Sequence, residues 1–251
     1  MHVIVTGASS GIGEAIARRY GARREARITL VARRQEKLEA LAASLPATTR
    51  VVAADLAENP TAWLDDAVAA QGPVDVLVNN AGVQVIGPTA TVDVEAGERS
   101  LVLNLHAPLR LIQAVLLSML ERRRGHLITI ASMAALAPTP AMTYYNASKA
   151  GIAAASEALR GELRGTGVEV LTVYPGIIGE TAMAQDALAT YGSNLMLRLQ
   201  PTSTAAELAE AIERAAARGH ARLIHPRPNA FARHFPAATR WLMDRFTPPV
   251  G

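Results

Sequence analysis

The chain has 251 residues, of which 50% are hydrophobic, 4% aromatic and 19% charged, and its 25 Lys and Arg against 22 Asp and Glu leave a formal charge of +3. That length and apolar content suit one sizeable core, so a single domain over 1–251 is expected. The absence of cysteine excludes disulfides and thiol chemistry and fits a reducing, cytoplasmic setting. The arginines are scattered among acids rather than gathered into a stripe with aromatics, which argues against nucleic acid as a partner.

No basic stretch with an apolar core precedes "HVIVTGASS", and no apolar run reaches the length of a membrane span. The β-branched run "HVIVT" feeds directly into "TGASSGIGEAIARRY". Gly7, Gly11 and Gly13, between a strand and a helix, let the backbone turn tightly and approach a pyrophosphate, which the helix N-terminus attracts. The spacing is GxxxGxG rather than the commoner GxGxxG. Its place after the very first strand favours dinucleotide binding over an ordinary strand-to-helix turn.

The second strand, "RITLVA", ends in Ala32, Arg33 and Arg34, where an NAD site of this kind carries an acid for the ribose 2′-hydroxyl. Two arginines at the start of the next helix oppose its dipole. A 2′-phosphate explains them better than solvation at the surface does, so NADP(H) is expected in preference to NAD(H), with Arg33 the main contact and Arg34 assisting. The third strand, "RVVAA", leads to Asp55, and the fourth, "VDVLVN", leads into "NNAG" at 79 to 82.

A helix over "ERSLVLNLHAPLRLIQAVLL" carries Asn104, a residue of poor helix propensity, and His106, read as a helix-face side chain. The run Arg122 to Arg124 that follows reads as cations complementing the dipole at the helix C-terminus. The fifth strand, "HLITIAS", ends at Ser132. In "TYYNASK" the helical spacing puts Tyr145 on the face of Lys149 and Tyr144 over Ser148. Taken alone, that fragment also reads as an amphipathic helix with half-buried tyrosines and a solvated lysine. The same helix is lined by Ala150, Gly151, Ala154 and Ala158, small enough for another helix to approach closely.

The sixth strand, "VEVLTVY", reaches "PG" at 175 to 176. The segment near 179–203 then carries Met183, Leu188, Leu195, Met196 and Leu197, which line an apolar pocket or pack the segment onto the domain. Thr204 and Glu207 form a capping box before a helix near 204–218, and "ARLIH" is the seventh strand. In the C-terminal segment near 226–251, Ala238, Trp241, Leu242 and Phe246 share one helical face. In falling order of preference, that face covers the pocket, buries a subunit contact or rests on a membrane surface. The strands are near-continuously apolar and alternate with helices. This predicts an α/β fold with a doubly wound, seven-stranded parallel sheet covered by helices on both faces.

These motifs, in this order, resemble the classical branch of the short-chain dehydrogenase/reductase family: "TGASSGIG" at 6 to 13, "NNAG" at 79 to 82, Asn104, Ser132, Tyr145 with Lys149, and "PG" at 175 to 176. The likeness runs from Val3 to the strand at 222 to 225, and it implies a single-domain Rossmann fold. It also implies a catalytic set of Asn104, Ser132, Tyr145 and Lys149. Tyr145 would exchange the proton with a carbonyl or alcohol oxygen, Lys149 would favour the phenolate, Ser132 would hydrogen-bond the same oxygen, and Asn104 would hold a water linking Lys149 to solvent.

For the cofactor, the resemblance implies contacts from Gly7, Ser9, Ser10, Gly11, Ile12 and Gly13, and from Asp55 to the adenine amino group with Leu56 beside it. It further implies Asn79, Ala81 and Gly82 along the adenosine side, Tyr145 and Lys149, and Pro175, Gly176 and Ile178 near the nicotinamide amide. A threonine usually follows the Pro-Gly pair at a fixed distance. "PGIIGETAM" has Glu180 there and Thr181 one residue later, so Thr181 is carried over with a loop one residue longer. No metal is implied. The family's helices bearing Asn104 and Tyr145 form subunit contacts, so a homodimer or homotetramer is expected.

Singly, each residue also has a structural explanation: Ser132 caps a turn, Asn104 is a satisfied buried amide, and Asp55 begins a loop. Jointly they match one reaction template. The leading function is therefore an NADP-dependent oxidoreductase acting on CH–OH or C=O groups of a small, apolar molecule. The alternative is a dinucleotide-binding sensor or scaffold without turnover, which loss of the tyrosine, lysine or serine would have favoured. Chain length and glycine spacing disfavour an epimerase or dehydratase of the longer branch, and the tyrosine-to-lysine gap of four disfavours an enoyl reductase.

Overall fold

Each of the seven apolar runs forms a strand. In chain order they are β1 (His2–Thr6), β2 (Arg27–Ala32), β3 (Thr48–Ala53), β4 (Val76–Asn79), β5 (Gly125–Ile130) and β6 (Val168–Pro175). A short pair, β7 (Ile177–Ile178) and β8 (Thr202–Ser203), precedes the seventh, β9 (Arg222–His225). The structure, a computed structural model, describes residues 1–191 and 200–246. The sheet order is β3-β2-β1-β4-β5-β6-β9, and every pairing is parallel.

The strands lack polar alternation because both faces are covered. Val3 and Val5 of β1 pack with Ile16 and Ala17 of α1 (Gly11–Gly21), Leu38 of α2 (Gln35–Ala43), and Leu208 and Ile212 of the helix Ala205–Ala217. Ile4, between them, packs on the other face with Leu64 of α3 (Leu64–Gln71) and with Leu111, Val115 and Met119 of α5 (Ala107–Glu121). The order reverses between β1 and β4, and at such a switch point a crevice opens beyond the strand C-termini.

The helix carrying Asn104 runs from α4 (Val94–Leu101) through a π-helical turn, Val102–His106, into α5. Contrary to the sequence expectation, the combined helix Val94–Glu121 is long and apolar enough to span a membrane by length and composition. One face of it is taken up by the sheet, where Ala107, Leu111, Ile112, Val115 and Met119 are buried, whereas Leu117 is 67% exposed. The arginine run also differs from expectation: Arg122 and Arg124 grip Asp75 at 3.0 and 2.7 Å, so a tertiary ion pair places them.

The helix α6 (Thr143–Glu162) packs against that π turn, where a Cβ on Gly151 would lie 3.1 Å from Leu105. After β7 come α7 (Ala182–Tyr191), β8, and α8 (Ala205–Ala217), whose capping box is present. Thr204 accepts from the Glu207 amide at 3.1 Å, and Glu207 accepts from the Thr204 amide at 3.0 Å. In the C-terminal helix Pro236–Phe246, Leu242 and Met243 face the central cavity, whereas Trp241 is 63% exposed. Leu195, Met196 and Leu197 lie outside the described residues, as do the side chains of Leu188 and Phe246.

Candidate active site

The glycine loop folds onto itself. Gly7 takes φ +67°, and a Cβ on Gly13 would stand 2.2 Å from the Gly7 carbonyl oxygen, so only glycine fits at either place. Asn80 ties this loop to β4: its side chain donates to the Thr6 carbonyl at 2.9 Å, and its own amide donates to Thr6 Oγ1 at 2.9 Å. Beyond the loop lies a cavity of about 670 Å³, in the range of small-molecule sites.

On the β2–β3 side of the switch point the cavity is lined by Ser9, Ser10, Arg33, Arg34, Asp55 and Leu56, with Gly7, Gly11 and Ile12 beneath. Arg34 lies across the loop, donating to Ser9 Oγ at 2.8 Å and to Ser10 Oγ at 2.7 Å. Arg33 leaves 62% of its side chain exposed, and its Nη1 stands 4.0 Å from Asp55 Oδ2. Lys37, one helical turn along α2, lines the same end, a third cation that the sequence reading passed over. Its spacing from Arg33 and Arg34 was the available signal.

On the β5–β6 side the lining includes Ser132, Tyr145, Lys149, Pro175, Gly176, Ile178 and Thr181. Ser132 caps the short 3-10 turn Met133–Ala135, accepting from the Ala134 amide at 3.1 Å. Tyr145 is 7% exposed. Burial raises its pKa above the ordinary phenol value, opposed by the Ser132 hydrogen bond, and its hydroxyl donates to Met183 Sδ at 3.6 Å. Lys149, 5% exposed, donates to the Ile130 carbonyl at 2.9 Å and stands 5.9 Å from the Tyr145 ring centre. Burial pulls its pKa down to about 8. The two side chains thus share one face of α6. Tyr144 does not: its ring lies on Gly97 of α4, where a Cβ would meet it at 2.6 Å, and it does not line the cavity.

Gly82 brings the backbone close to the lysine, since a Cβ there would be 3.5 Å from Lys149 Nζ and 3.0 Å from Asn104 Oδ1. Ala81 lines the cavity alongside it. Thr181 sits over the glycine loop, its Cγ2 3.2 Å from a Cβ built on Gly11, and its hydroxyl donates to the Ile178 carbonyl at 2.9 Å. Glu180, at the position where a threonine was awaited, accepts from the first amide of α8 at 2.7 Å.

Three residues lie behind the main cavity rather than along it. Gly13 supports the loop from below. Asn104 holds Val83 by two bonds, accepting from its amide at 2.9 Å and donating to its carbonyl at 2.8 Å, and donates to Ser148 Oγ at 3.0 Å. Asn79 donates to the Pro108 carbonyl at 3.4 Å. Its Oδ1 and the Thr129 hydroxyl have no partner among the described residues, and both line a small pocket of about 10 Å³ that also touches Asn104 and Lys149. That is about the space of one water.

The loop cradle, the serines and cations at one end, and the buried tyrosine and lysine at the other fit a dinucleotide laid across the switch point. This defines a Rossmann-type oxidoreductase site. The family model for short chain dehydrogenase matches residues 1–192, and the chain belongs to that family, enzymes acting on alcohol and carbonyl groups. It is 36% identical to an uncharacterised oxidoreductase of Staphylococcus epidermidis over 186 residues, 72% of this chain and 79% of the relative. It is also 36% identical to an NADP-dependent 3-hydroxy acid dehydrogenase of Salmonella typhi over 192 residues, 72% of this chain and 74% of that one. Among solved structures, a short-chain dehydrogenase of Sphingobium yanoikuyae in complex with NADPH matches with a TM-score of 0.81 and 29% identity, covering 97% of this chain and 95% of the other.

Proposed function

We propose that the chain is an NADP(H)-dependent oxidoreductase that interconverts a neutral, apolar carbonyl compound and its secondary alcohol, with Tyr145 as general acid and base. The observation that carries this reading is the Tyr145–Lys149 pair, buried at one end of a cavity whose other end gathers Arg33, Arg34 and Lys37. A nicotinamide dinucleotide supplies the hydride in reduction and accepts it in oxidation. Tyr145 gives its proton to the carbonyl oxygen in reduction and takes it back from the alcohol in oxidation. Ser132 donates to the same oxygen as charge develops on it. Lys149, when protonated, favours the phenolate, and Asn104 fixes Val83, in the loop after β4, beside it.

The lining supports the substrate class. Met133, Met142, Met183 and Met243, four of the chain's 7 methionines, line the cavity, and such side chains adapt to varied apolar shapes. Among the described residues, the cations of the lining other than Lys149 all stand at the β2 end, so a substrate carboxylate would lack a partner. The NADP-dependent relative and the NADPH-bound structural neighbour support the cofactor.

The whole chain acts as one domain, with a substrate lid near 179–203, of which 192–199 lie outside the described residues, and with the C-terminal helix Pro236–Phe246 covering the cavity through Leu242 and Met243. A membrane surface remains the least favoured use of that segment, and a cysteine-free enzyme of this kind suits the cytoplasm. Association into a homodimer or homotetramer uses α4–α5 and α6, where Ala150 and Ala154 are exposed. Light scattering should give a dimer or tetramer mass, and a monomer at micromolar concentration contradicts this. The function is tested by NADPH consumption over a panel of aldehydes, ketones and quinones. Turnover of neutral apolar carbonyls supports it, and silence alongside intact NADPH binding points to a sensor.

A further inference from the structure

We propose that Arg99 is a positioning residue for the adenosine end of the site: by neutralising Asp55 it leaves Arg33 available to the 2′-phosphate of NADP(H). This rests on the NADP(H) reading above. Arg33 and Asp55 both line the cavity, and they stand 4.0 Å apart, at the outer limit of an ion pair. The carboxylate is the more enclosed of the two, with 21% of its side chain exposed against 62% for Arg33. An uncompensated carboxylate at that distance would draw the guanidinium towards itself and repel a phosphate of charge about −2 entering the same pocket.

Both oxygens of Asp55 are already engaged. Oδ1 accepts from the Ala57 amide at 2.9 Å, and Oδ2 accepts from Nη2 of Arg99. Arg99 comes from the last turn of α4, 44 residues along the chain, and does not itself line the cavity. Whatever it does for a ligand, it does through Asp55. A plain clasp between α4 and the loop after β3 would affect all adenine nucleotides alike. A charge effect changes the ratio between ligands with and without the 2′-phosphate.

Calorimetric titration of 2′,5′-ADP and 5′-AMP reads that ratio, because the adenine and ribose contacts common to both cancel. The wild type should prefer 2′,5′-ADP by at least about tenfold. A ratio near unity in the wild type sinks the NADP(H) reading itself. Given the preference, Arg99→Gln should narrow it roughly three- to tenfold, more at low ionic strength than at high. Arg99→Lys should keep it, and adding Asp55→Asn to Arg99→Gln should restore it. Asp55→Asn alone should keep or widen the preference, a measurement that stands even if Arg99→Gln fails to fold. An unchanged ratio in Arg99→Gln, a narrowing that Asp55→Asn does not restore, or a narrowing in Asp55→Asn alone overturns the inference.

Discussion

Replacing Tyr145 or Tyr144 by phenylalanine removes one oxygen from each of two adjacent rings, yet the surroundings of those oxygens differ. The Tyr145 hydroxyl opens onto the cavity beside Ser132 and donates to the Met183 thioether at 3.6 Å, a weak acceptor, so its loss leaves little unsatisfied. Folding stability and NADPH affinity should therefore stay close to wild type. Turnover should fall about 10²–10⁴-fold, the usual contribution of a positioned acid/base group. At 1.36 kcal/mol per decade that is roughly 3–5 kcal/mol of barrier. Tyr144→Phe keeps the ring on Gly97, so its turnover should stay within about twofold of wild type, as expected for a group outside the site. Turnover is read from NADPH absorbance at saturating cofactor, with cofactor affinity titrated separately by fluorescence. An active Tyr145→Phe beside an inactive Tyr144→Phe would refute the register, and equal small losses would refute catalysis by α6.

Arg33→Ala should weaken NADPH binding more than NADH binding by roughly 1.5–3 kcal/mol, towards the lower value because the side chain is 62% exposed; equal weakening contradicts its assignment. Gly97→Ala should destabilise by about 1–3 kcal/mol in urea denaturation although alanine favours helices, because its Cβ would meet the Tyr144 ring at 2.6 Å; the loss should vanish in a Tyr144→Ala background, and simple additivity denies the contact. Burial holds the folded-state pKa of Lys149 at about 8 against 10.5 in the unfolded chain, so between those values the unfolded state binds more protons and this group makes stability rise with pH. Lys149→Met should therefore gain stability over wild type at about pH 7 and lose that advantage by about pH 10.5, whereas a constant difference contradicts the burial penalty.

The strands were legible because apolar runs of that length, bounded by turn residues, have few alternatives in a buried parallel sheet. The Tyr145–Lys149 pairing was legible because it is local, four residues along one helix. What escaped is tertiary. Nothing in "TYYNASK" announces that Tyr144 rests on Gly97, a glycine 47 positions earlier by numbering, or that Arg122 and Arg124 answer Asp75. The π turn at Asn104, which packs against α6 where Gly151 meets Leu105, is likewise unannounced by the local sequence. Asn79 and Asn80 show the limit of motif transfer. Successive residues leaving a strand point to opposite sides, so Asn80 reaches the glycine loop while Asn79 turns towards Pro108.

The central claim, hydride transfer between NADPH and a carbonyl carbon with the proton handled by Tyr145, is tested most directly by following the transferred atom. With NADPH deuterated at the nicotinamide C4 and a neutral apolar ketone that the protein turns over, mass spectrometry should find deuterium on the carbinol carbon of the product, at a rate that Tyr145→Phe cuts by about 10²-fold or more. NADPH consumption without deuterium in the alcohol, or deuterium transfer that proceeds unchanged in Tyr145→Phe, would contradict it.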